Sequence, residues 1–103
     1  MDMDTDNLFE HARARFAHAA ARRVLQEKYQ GKMTFAHAGG LWRAGPELLT
    51  TLMVCPDDTA VILDLHQTPV QVTVQELRAL AQQRWQEQMT AWQTEYQEIS
   101  KRR

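Results

Sequence analysis

The stretch from residue 73 to residue 100, TVQELRALAQQRWQEQMTAWQTEYQEIS, decides the fold. No Pro or Gly interrupts it and most of its residues are strong helix formers, so it predicts one long helix over residues 74–100. Thr73 and Glu76 have the spacing of a capping box at the start of that helix. From residue 85 on, apolar residues recur at alternating steps of four and three, which is the spacing of a seam that packs along another helix. These residues are Trp85, Met89, Trp92, Tyr96 and Ile99.

The whole chain predicts an α+β fold in a single domain, residues 1–103. We expect two β-hairpins that form a small antiparallel sheet, flanked by two long helices and one short helix. Gly31 is expected to end the first helix and Pro46 to start the short one. The pair Gly39-Gly40 is expected to form the first hairpin turn, and the apolar run Thr59–Leu65 to form a central strand. The predicted boundaries are a flexible leader at 1–6, a helix at 7–30, a hairpin at 33–44, a short helix at 46–54, a hairpin at 59–74 and the C-terminal helix at 74–100.

The charge of the chain is nearly balanced overall but segregated along the sequence. A formal net charge of -1 disfavours wholesale binding to nucleic acid or to an anionic membrane surface. Residues 1–10 carry four acids and no base, residues 11–43 carry seven bases and one acid, and residues 44–76 carry five acids and no base. Such segregation predicts complementary faces, either within the fold or between copies of the chain.

Cysteine usage favours a reducing compartment, and hydropathy argues against a membrane-spanning segment. Cys55 is the only cysteine, so one chain can form neither an internal disulfide nor a cysteine-based zinc site. The acidic N-terminus does not resemble a signal peptide, and no apolar run approaches the length of a transmembrane helix. We therefore expect a protein that is neither secreted nor embedded in a membrane.

The length of the two long helices suggests where a partner would bind. A helix of about 25 residues is about 38 Å long, whereas a compact domain of this size has a radius of gyration of only about 13 Å. If the far end of the C-terminal helix protrudes, its aromatic seam faces water, and exposed aromatic anchors usually bury against a partner. The alternative is an antiparallel pair within one chain, in which Phe9 and Phe16 of the first helix cover that seam.

The sequence contains no constellation typical of an enzyme or of a metal site. Ser100, the only serine, is in the last predicted turn, and no phosphate loop or dinucleotide motif is present. Asp57, Asp58, Asp64 and His66 cluster around the second predicted hairpin, where turn and capping roles explain them better than cation binding. We predict no catalytic residue, no metal ligand and no cofactor.

Nucleic acid is the alternative partner. The first predicted helix is basic, and Arg15, Arg22 and Arg23 would carry phosphate contacts, with Trp42 able to stack on a base. Against this, the basic residues are spread around the helix and no recognition motif accompanies them.

Two further segments are informative: residues 60–96, AVILDLHQTPVQVTVQELRALAQQRWQEQMTAWQTEY, and residues 27–49, EKYQGKMTFAHAGGLWRAGPELL. Both resemble small proteins of tailed bacteriophages, especially contractile-tailed ones. The resemblance implies a virion component or an assembly factor, present in the host cytoplasm or the virion. Its partners would be itself or other phage structural proteins, in a homo- or hetero-oligomer. The alternative is a small nucleic-acid-binding or host-inhibiting phage protein that uses the basic first helix.

Overall fold

Three helices and two antiparallel hairpins make up the described part of the chain. The computed structural model describes the backbone of residues 2–101 and the side chains of residues 8–101. The predicted α+β class, with two hairpins, two long helices and one short helix, is confirmed. The elements are α1 (Asp2–Lys32), β1 (Thr34–His37), β2 (Gly40–Arg43), α2 (Pro46–Met53), β3 (Thr59–Leu63), β4 (Pro69–Thr73) and α3 (Val74–Lys101).

Helix α1 is longer at both ends than the sequence predicts. It begins at Asp2 instead of residue 7, so residues 2–6 belong to the helix and not to a leader; Met1 lies outside the described residues. Acidic residues at the start of a helix are favoured by its dipole, which explains the early start. Gly31 does not end the helix as expected but lies inside it. The helix ends at Lys32, and β1 begins two residues later, at Thr34.

The first hairpin turns one residue earlier than predicted. Its two turn residues are Ala38 and Gly39, with φ angles of 54° and 79°, instead of Gly39-Gly40. A two-residue hairpin turn needs positive φ at both positions, so here an alanine occupies a position that glycine or asparagine normally fills. Gly40 belongs to β2, where a Cβ atom would lie 3.0 Å from the Trp42 ring and 3.2 Å from Val70. A side chain at residue 40 would therefore have to displace the Trp42 ring or Val70.

The second hairpin is a two-stranded unit and not the central part of a sheet. Strands β3 and β4 pair from Thr59 opposite Thr73 to Leu63 opposite Pro69. The expectation of a central strand over 59–65 is wrong, because within residues 2–101 β3 pairs with β4 alone, and Val61 and Leu63 are exposed. The two hairpins are joined by a hydrogen bond of 2.9 Å from the Leu65 amide to the Leu41 carbonyl.

The hydrophobic core lies where the two hairpins and α2 meet the first three turns of α3. Its most completely buried members include Trp42, Leu52, Leu77 and Ala81. The predicted capping box does not form: among the side chains of residues 8–101, neither Thr73 nor Glu76 donates or accepts a hydrogen bond in the first turn of α3. Strand β4 runs directly into the helix, and the Val74 amide donates to the Asp58 carbonyl instead.

The two long helices pack against each other in antiparallel orientation over part of their length. Lys28 of α1 forms an ion pair with Glu95 of α3, and Tyr29 stacks on Trp92. Along α1, every residue from Leu8 to Ala17 is exposed, so the N-terminal half of this helix extends beyond the described end of α3. The extents of 70 × 24 × 21 Å and the radius of gyration of 20.0 Å reflect this extension. The protruding segment is therefore the start of α1 and not the end of α3.

Candidate functional site

An open apolar cleft of about 620 Å³ lies beside the middle of α3. One wall is the face of α3, another comes from the second hairpin, and Trp42 of β2 and the start of α2 complete the lining. Its lining includes the large apolar side chains of Trp42, Ile62, Leu63, Trp85, Met89 and Trp92. Leu63 and Met89 are 56% and 37% exposed, so the cleft presents apolar surface to solvent.

The helical period of α3 builds the first wall. Trp85, Met89 and Trp92 are separated by four and three residues, so they project from one face of the helix. Trp85 packs partly against the core, and Trp92 is held against Tyr29 of α1. The two tryptophans are therefore held in place by packing, whereas Met89 between them is exposed, so the tryptophans can receive a ligand without reordering.

Trp42 is fixed by packing and by one hydrogen bond. Its indole Nε1 donates to the His37 carbonyl at 2.9 Å, across the first hairpin, and the side chain is only 2% exposed. Gly40 leaves the space that the ring fills. This buried position makes Trp42 a structural part of the cleft and does not leave its ring free to stack on a base.

Asp64 holds the second wall in place. Its carboxylate accepts hydrogen bonds from the backbone amides of Leu41, His66 and Thr68, at 3.1, 2.9 and 3.0 Å. These bonds, led by the one from Leu41, hold the pKa of the Asp64 carboxyl below its ordinary value. The residue thus connects the turn of the second hairpin to β2 and orients Leu63 at the edge of the cleft.

The acidic group predicted around this hairpin is therefore a turn structure. Asp57 and Asp58 are exposed, whereas Asp64 is buried with its oxygens directed at amides. Among the described residues, no group of three or more His, Cys, Asp and Glu side chains is placed to hold a metal ion. No described helix combines the length and the apolar character needed to cross a membrane.

A polar cluster fastens α1 to α3 next to the cleft. The Glu95 carboxylate accepts hydrogen bonds from the Lys28 ammonium, at 2.6 Å, and from the Tyr29 hydroxyl. The bond from Lys28, and after it the bond from Tyr29, keeps the pKa of Glu95 below its ordinary value. The bond to Glu95 raises the pKa of Lys28 and also that of Tyr29. The carboxylate is thus stabilised in its charged form at the point where Trp92 meets α1.

The structure brings three of the five predicted partner-binding residues together. Trp85, Met89 and Trp92 line the cleft, whereas Tyr96 and Ile99 lie further along α3, beyond it. Ile99 is half-buried in a shallow depression against Ala21 and Leu25 of α1, and Tyr96 is 41% exposed. Binding of a partner by these five residues stays a prediction.

The three arginines of the alternative interpretation are exposed on α1. Arg15 and Arg22 are seven residues apart and share one side of the helix, while Arg23 points about 100° away from Arg22. Arg15 belongs to the protruding half of α1, and Arg22 and Arg23 to the half that packs on α3. They do not converge on a groove.

Sequence reasoning missed the contribution of the second hairpin to the cleft. The continuous apolar run over residues 59–65 predicts a central strand, in which Leu63 and Leu65 would be buried, whereas both are exposed. The signal that could have revealed their exposure is the small number of predicted strands, since a two-stranded hairpin leaves more apolar surface exposed than a sheet of many strands.

Comparison of the chain with protein-family models, with curated proteins and with solved structures finds no match.

Proposed function

We propose that this chain is a non-enzymatic interaction or structural subunit that binds a segment of another protein in the cleft beside α3. The observation that carries the proposal is the convergence of Trp85, Met89 and Trp92 with the exposed Leu63 across an open cleft. Aromatic residues and Met are enriched at the centres of protein interfaces, where a few such side chains supply most of the binding energy.

The chemistry of the cleft favours an uncharged, apolar segment as its occupant. Its walls are mostly apolar, with Gln30, Thr51 and Gln67 as uncharged polar members, and its charged lining residues Arg43 and Glu47 are of opposite sign. The only carboxylate deeper in the wall, Asp64, is already bonded to three amides. A segment with one or two large apolar anchors and polar flanks matches such a surface. A charged side chain buried in the cleft would find no opposite charge to offset its loss of hydration.

The wider role that we propose is that of a bacteriophage virion component or assembly factor. The support for this is the resemblance of residues 27–49 and 60–96 to small proteins of contractile-tailed phages. In that setting the segment bound in the cleft belongs to another structural protein of the particle. Detection of the chain by mass spectrometry in purified particles tests this part, and its absence from both particles and assembly intermediates would count against it.

The cleft is tested by substitutions that leave the core intact. We expect Leu63→Lys together with Met89→Lys to abolish co-purification with proteins encoded beside this chain in its genome, because both side chains are exposed at the cleft. Met53→Lys is the matched control, since Met53 is 67% exposed on α2 and lies outside the cleft. Co-purification that survives the double substitution would contradict the proposal.

The alternative is nucleic-acid binding through α1, and the observation in its favour is the exposure of Arg15, Arg22 and Arg23. Replacing these arginines with Glu distinguishes the two functions. A loss of RNA or DNA binding at low salt on arginine replacement, with the cleft variants unaffected, would favour the alternative.

A further inference from the structure

One edge of β3 carries backbone groups that the second hairpin does not pair. In an antiparallel pair, successive residues direct their N–H and C=O groups alternately towards the partner strand and away from it. At the two ends of the β3–β4 ladder, the Asp64 amide donates to the Thr68 carbonyl and the Val74 amide donates to the Asp58 carbonyl. In the register of this hairpin the even-numbered residues of β3 therefore bond to β4. The odd-numbered residues direct their backbone groups the other way, and we call this side, at residues 59, 61 and 63, the outer edge of β3.

A proline in β4 supports this alternation. Pro69 lies opposite Leu63 and has no N–H to donate, so this pair is one of those that face away from each other. Among the described residues, no backbone hydrogen bond from another element reaches Val61 or Leu63. The next odd-numbered residue, Leu65, does bond outside the hairpin, because its amide donates to the Leu41 carbonyl of β2 at 2.9 Å. The outer edge is thus directed towards β2 but is met by it only at Leu65.

The cleft beside α3 runs along this edge. Four consecutive residues of the second hairpin, 62–65, line the cleft together with residues 42–48, whereas none of the β4 residues 69–73 does. Successive side chains of a strand point to opposite faces, so a wall made of consecutive residues presents its backbone edge to the cleft as well as its side chains. The cleft is therefore bordered by apolar side chains and by peptide groups that lack a partner strand.

We propose that the cleft binds its partner segment as an extended strand, which pairs with the outer edge of β3. This inference rests on the function proposed above and specifies the conformation of the bound segment of the other protein. Peptide groups at a strand edge are satisfied by the N–H and C=O groups of a second extended chain. A bound helix could not supply these groups, because its backbone is already bonded internally.

The geometry of the edge sets the length and pattern of the added strand. Since β2 meets the edge at Leu65, the free part runs from Thr59 to Leu63, which is about 13 Å or about five residues of strand. Alternate side chains of the added strand would lie on the face of Ile62, towards the indole of Trp42 in the cleft. Its large apolar residues should therefore be spaced two apart, instead of three and four apart as in an amphipathic helix.

The size of the cleft favours such a segment over a second copy of this chain. A volume of about 620 Å³ is in the range of sites that hold a small ligand or a few side chains. A second copy would have to bring a whole hairpin to an edge that is bordered by α2 and α3. Crosslinks from the cleft only to a second copy of β3 would overturn the assignment to another protein.

Amide hydrogen exchange of the free chain tests the premise. Val61 and Leu63 should exchange at least about tenfold faster than Ala60 and Ile62, because only the even-numbered amides are bonded to β4. Nuclear magnetic resonance measures the four rates separately. Equal protection of all four amides would show that the outer edge is already paired and would overturn the proposal.

A proline substitution tests the added strand. Val61→Pro removes an N–H that points away from β4, so every bond of the β3–β4 ladder remains possible and proline is tolerated there. It should weaken co-purification of the partner protein at least about tenfold. The matched control is Gln71→Pro, which makes the same change at the opposite residue, on the far edge of β4, and should leave binding unchanged. Val61→Thr, which keeps the amide, should also bind. Circular dichroism verifies that each variant is folded.

The bound conformation is tested with a synthetic peptide. Its sequence is the segment of the partner protein that a photoreactive amino acid at residue 89 crosslinks. Binding of this peptide should slow the exchange of the Val61 and Leu63 amides at least about tenfold and leave Ala60 and Ile62 unchanged. A peptide that binds as a helix, or that leaves these two amides unprotected, would overturn the proposal.

The outcomes separate this inference from the function on which it rests. Binding that is lost on Leu63→Lys with Met89→Lys but survives Val61→Pro would leave the cleft as the binding site and overturn the added strand alone. Binding that is indifferent to the lysine substitutions would contradict the proposed function, and the inference with it.

Discussion

The ring of Tyr29 lies stacked on the ring of Trp92, with centroids 5.9 Å apart and planes 7° from parallel. This contact joins the end of α1 to the part of α3 that lines the cleft. The Glu95 carboxylate, one turn further along α3, accepts hydrogen bonds from Lys28 and Tyr29 beside it. The stack thus fixes the register of the two long helices and, with it, the position of one wall of the cleft.

Trp92→Ala should loosen the helix pair without unfolding the hairpins. Loss of a half-buried indole and of its stacking is expected to cost about 2 kcal/mol of unfolding free energy. Urea unfolding followed by circular dichroism measures this value. Tyr96→Ala, at a more exposed position of the same helix, is the control and should cost less than about 1 kcal/mol. Equal costs for the two substitutions would show that the stack contributes nothing specific.

Ala38→Asn should stabilise the protein. Ala38 has a φ of 54°, a conformation that is unfavourable for alanine, and Asn-Gly is the preferred pair for a two-residue hairpin turn. We expect a gain of about 1 kcal/mol, measured as a rise in the midpoint of thermal unfolding. Ala36→Asn, on the neighbouring strand at an ordinary φ, should give no gain. An unchanged or lower midpoint for Ala38→Asn would contradict the assigned turn.

Gly40→Ala and Gly31→Ala should have opposite effects. The new Cβ at residue 40 would lie 3.0 Å from the Trp42 ring, so we expect a loss of about 1–3 kcal/mol as the indole is displaced. At residue 31, within α1, no described atom lies within 4 Å of the new Cβ. Alanine there should stabilise the helix by about 0.5–1 kcal/mol. Denaturant unfolding of both variants measures the two values, and a neutral Gly40→Ala would mean that Trp42 is not tightly held.

The stability of the protein should fall at acidic pH because of Asp64. The pKa of this carboxyl is lower in the folded chain than in the unfolded one, so its contribution is present above the unfolded value of about 3.9. That contribution is lost as the pH falls through the lower, folded pKa. Glu95, whose pKa is also lowered, adds to the same acid-side loss. Urea unfolding from pH 7 down to pH 2 measures the effect.

The substitution Asp64→Asn tests whether Asp64 causes the loss of folding stability at acidic pH. An amide nitrogen in place of one carboxylate oxygen would face a backbone amide donor, so the variant should be less stable at neutral pH and less sensitive to acid. Asp57→Asn, at an exposed position, is the control and should retain the original pH dependence. A variant at residue 64 with unchanged stability and unchanged pH dependence would show that the three amide contacts do not stabilise the turn.

The order of helices and hairpins could be predicted because most of these elements begin or end at residues with strong local preferences. Pro46 starts α2 and the uninterrupted run after Thr73 forms α3, as expected. The turn at Ala38 could not be predicted, because Gly39-Gly40 offers a better local turn, whereas in the structure Gly40 pairs with His37 and packs against the Trp42 ring.

The candidate site could be predicted only in part. The helical period places Trp85, Met89 and Trp92 on one face, but nothing local indicates that Leu63 faces them, since that depends on how the second hairpin docks. Which helix protrudes could not be predicted, because two helices of similar length can overhang at either end. The contacts of Lys28 and Tyr29 with α3 decide which end it is.

The measurement that tests the central claim most directly is photo-crosslinking from the cleft. A photoreactive amino acid in place of Met89 would be activated in the cells that naturally produce the chain. We expect a crosslink to a distinct protein, lost when Leu63→Lys is added and retained when Met53→Lys is added instead. Crosslinks confined to the chain itself, or a crosslink indifferent to Leu63→Lys, would contradict the assignment of the cleft as the binding site for another protein.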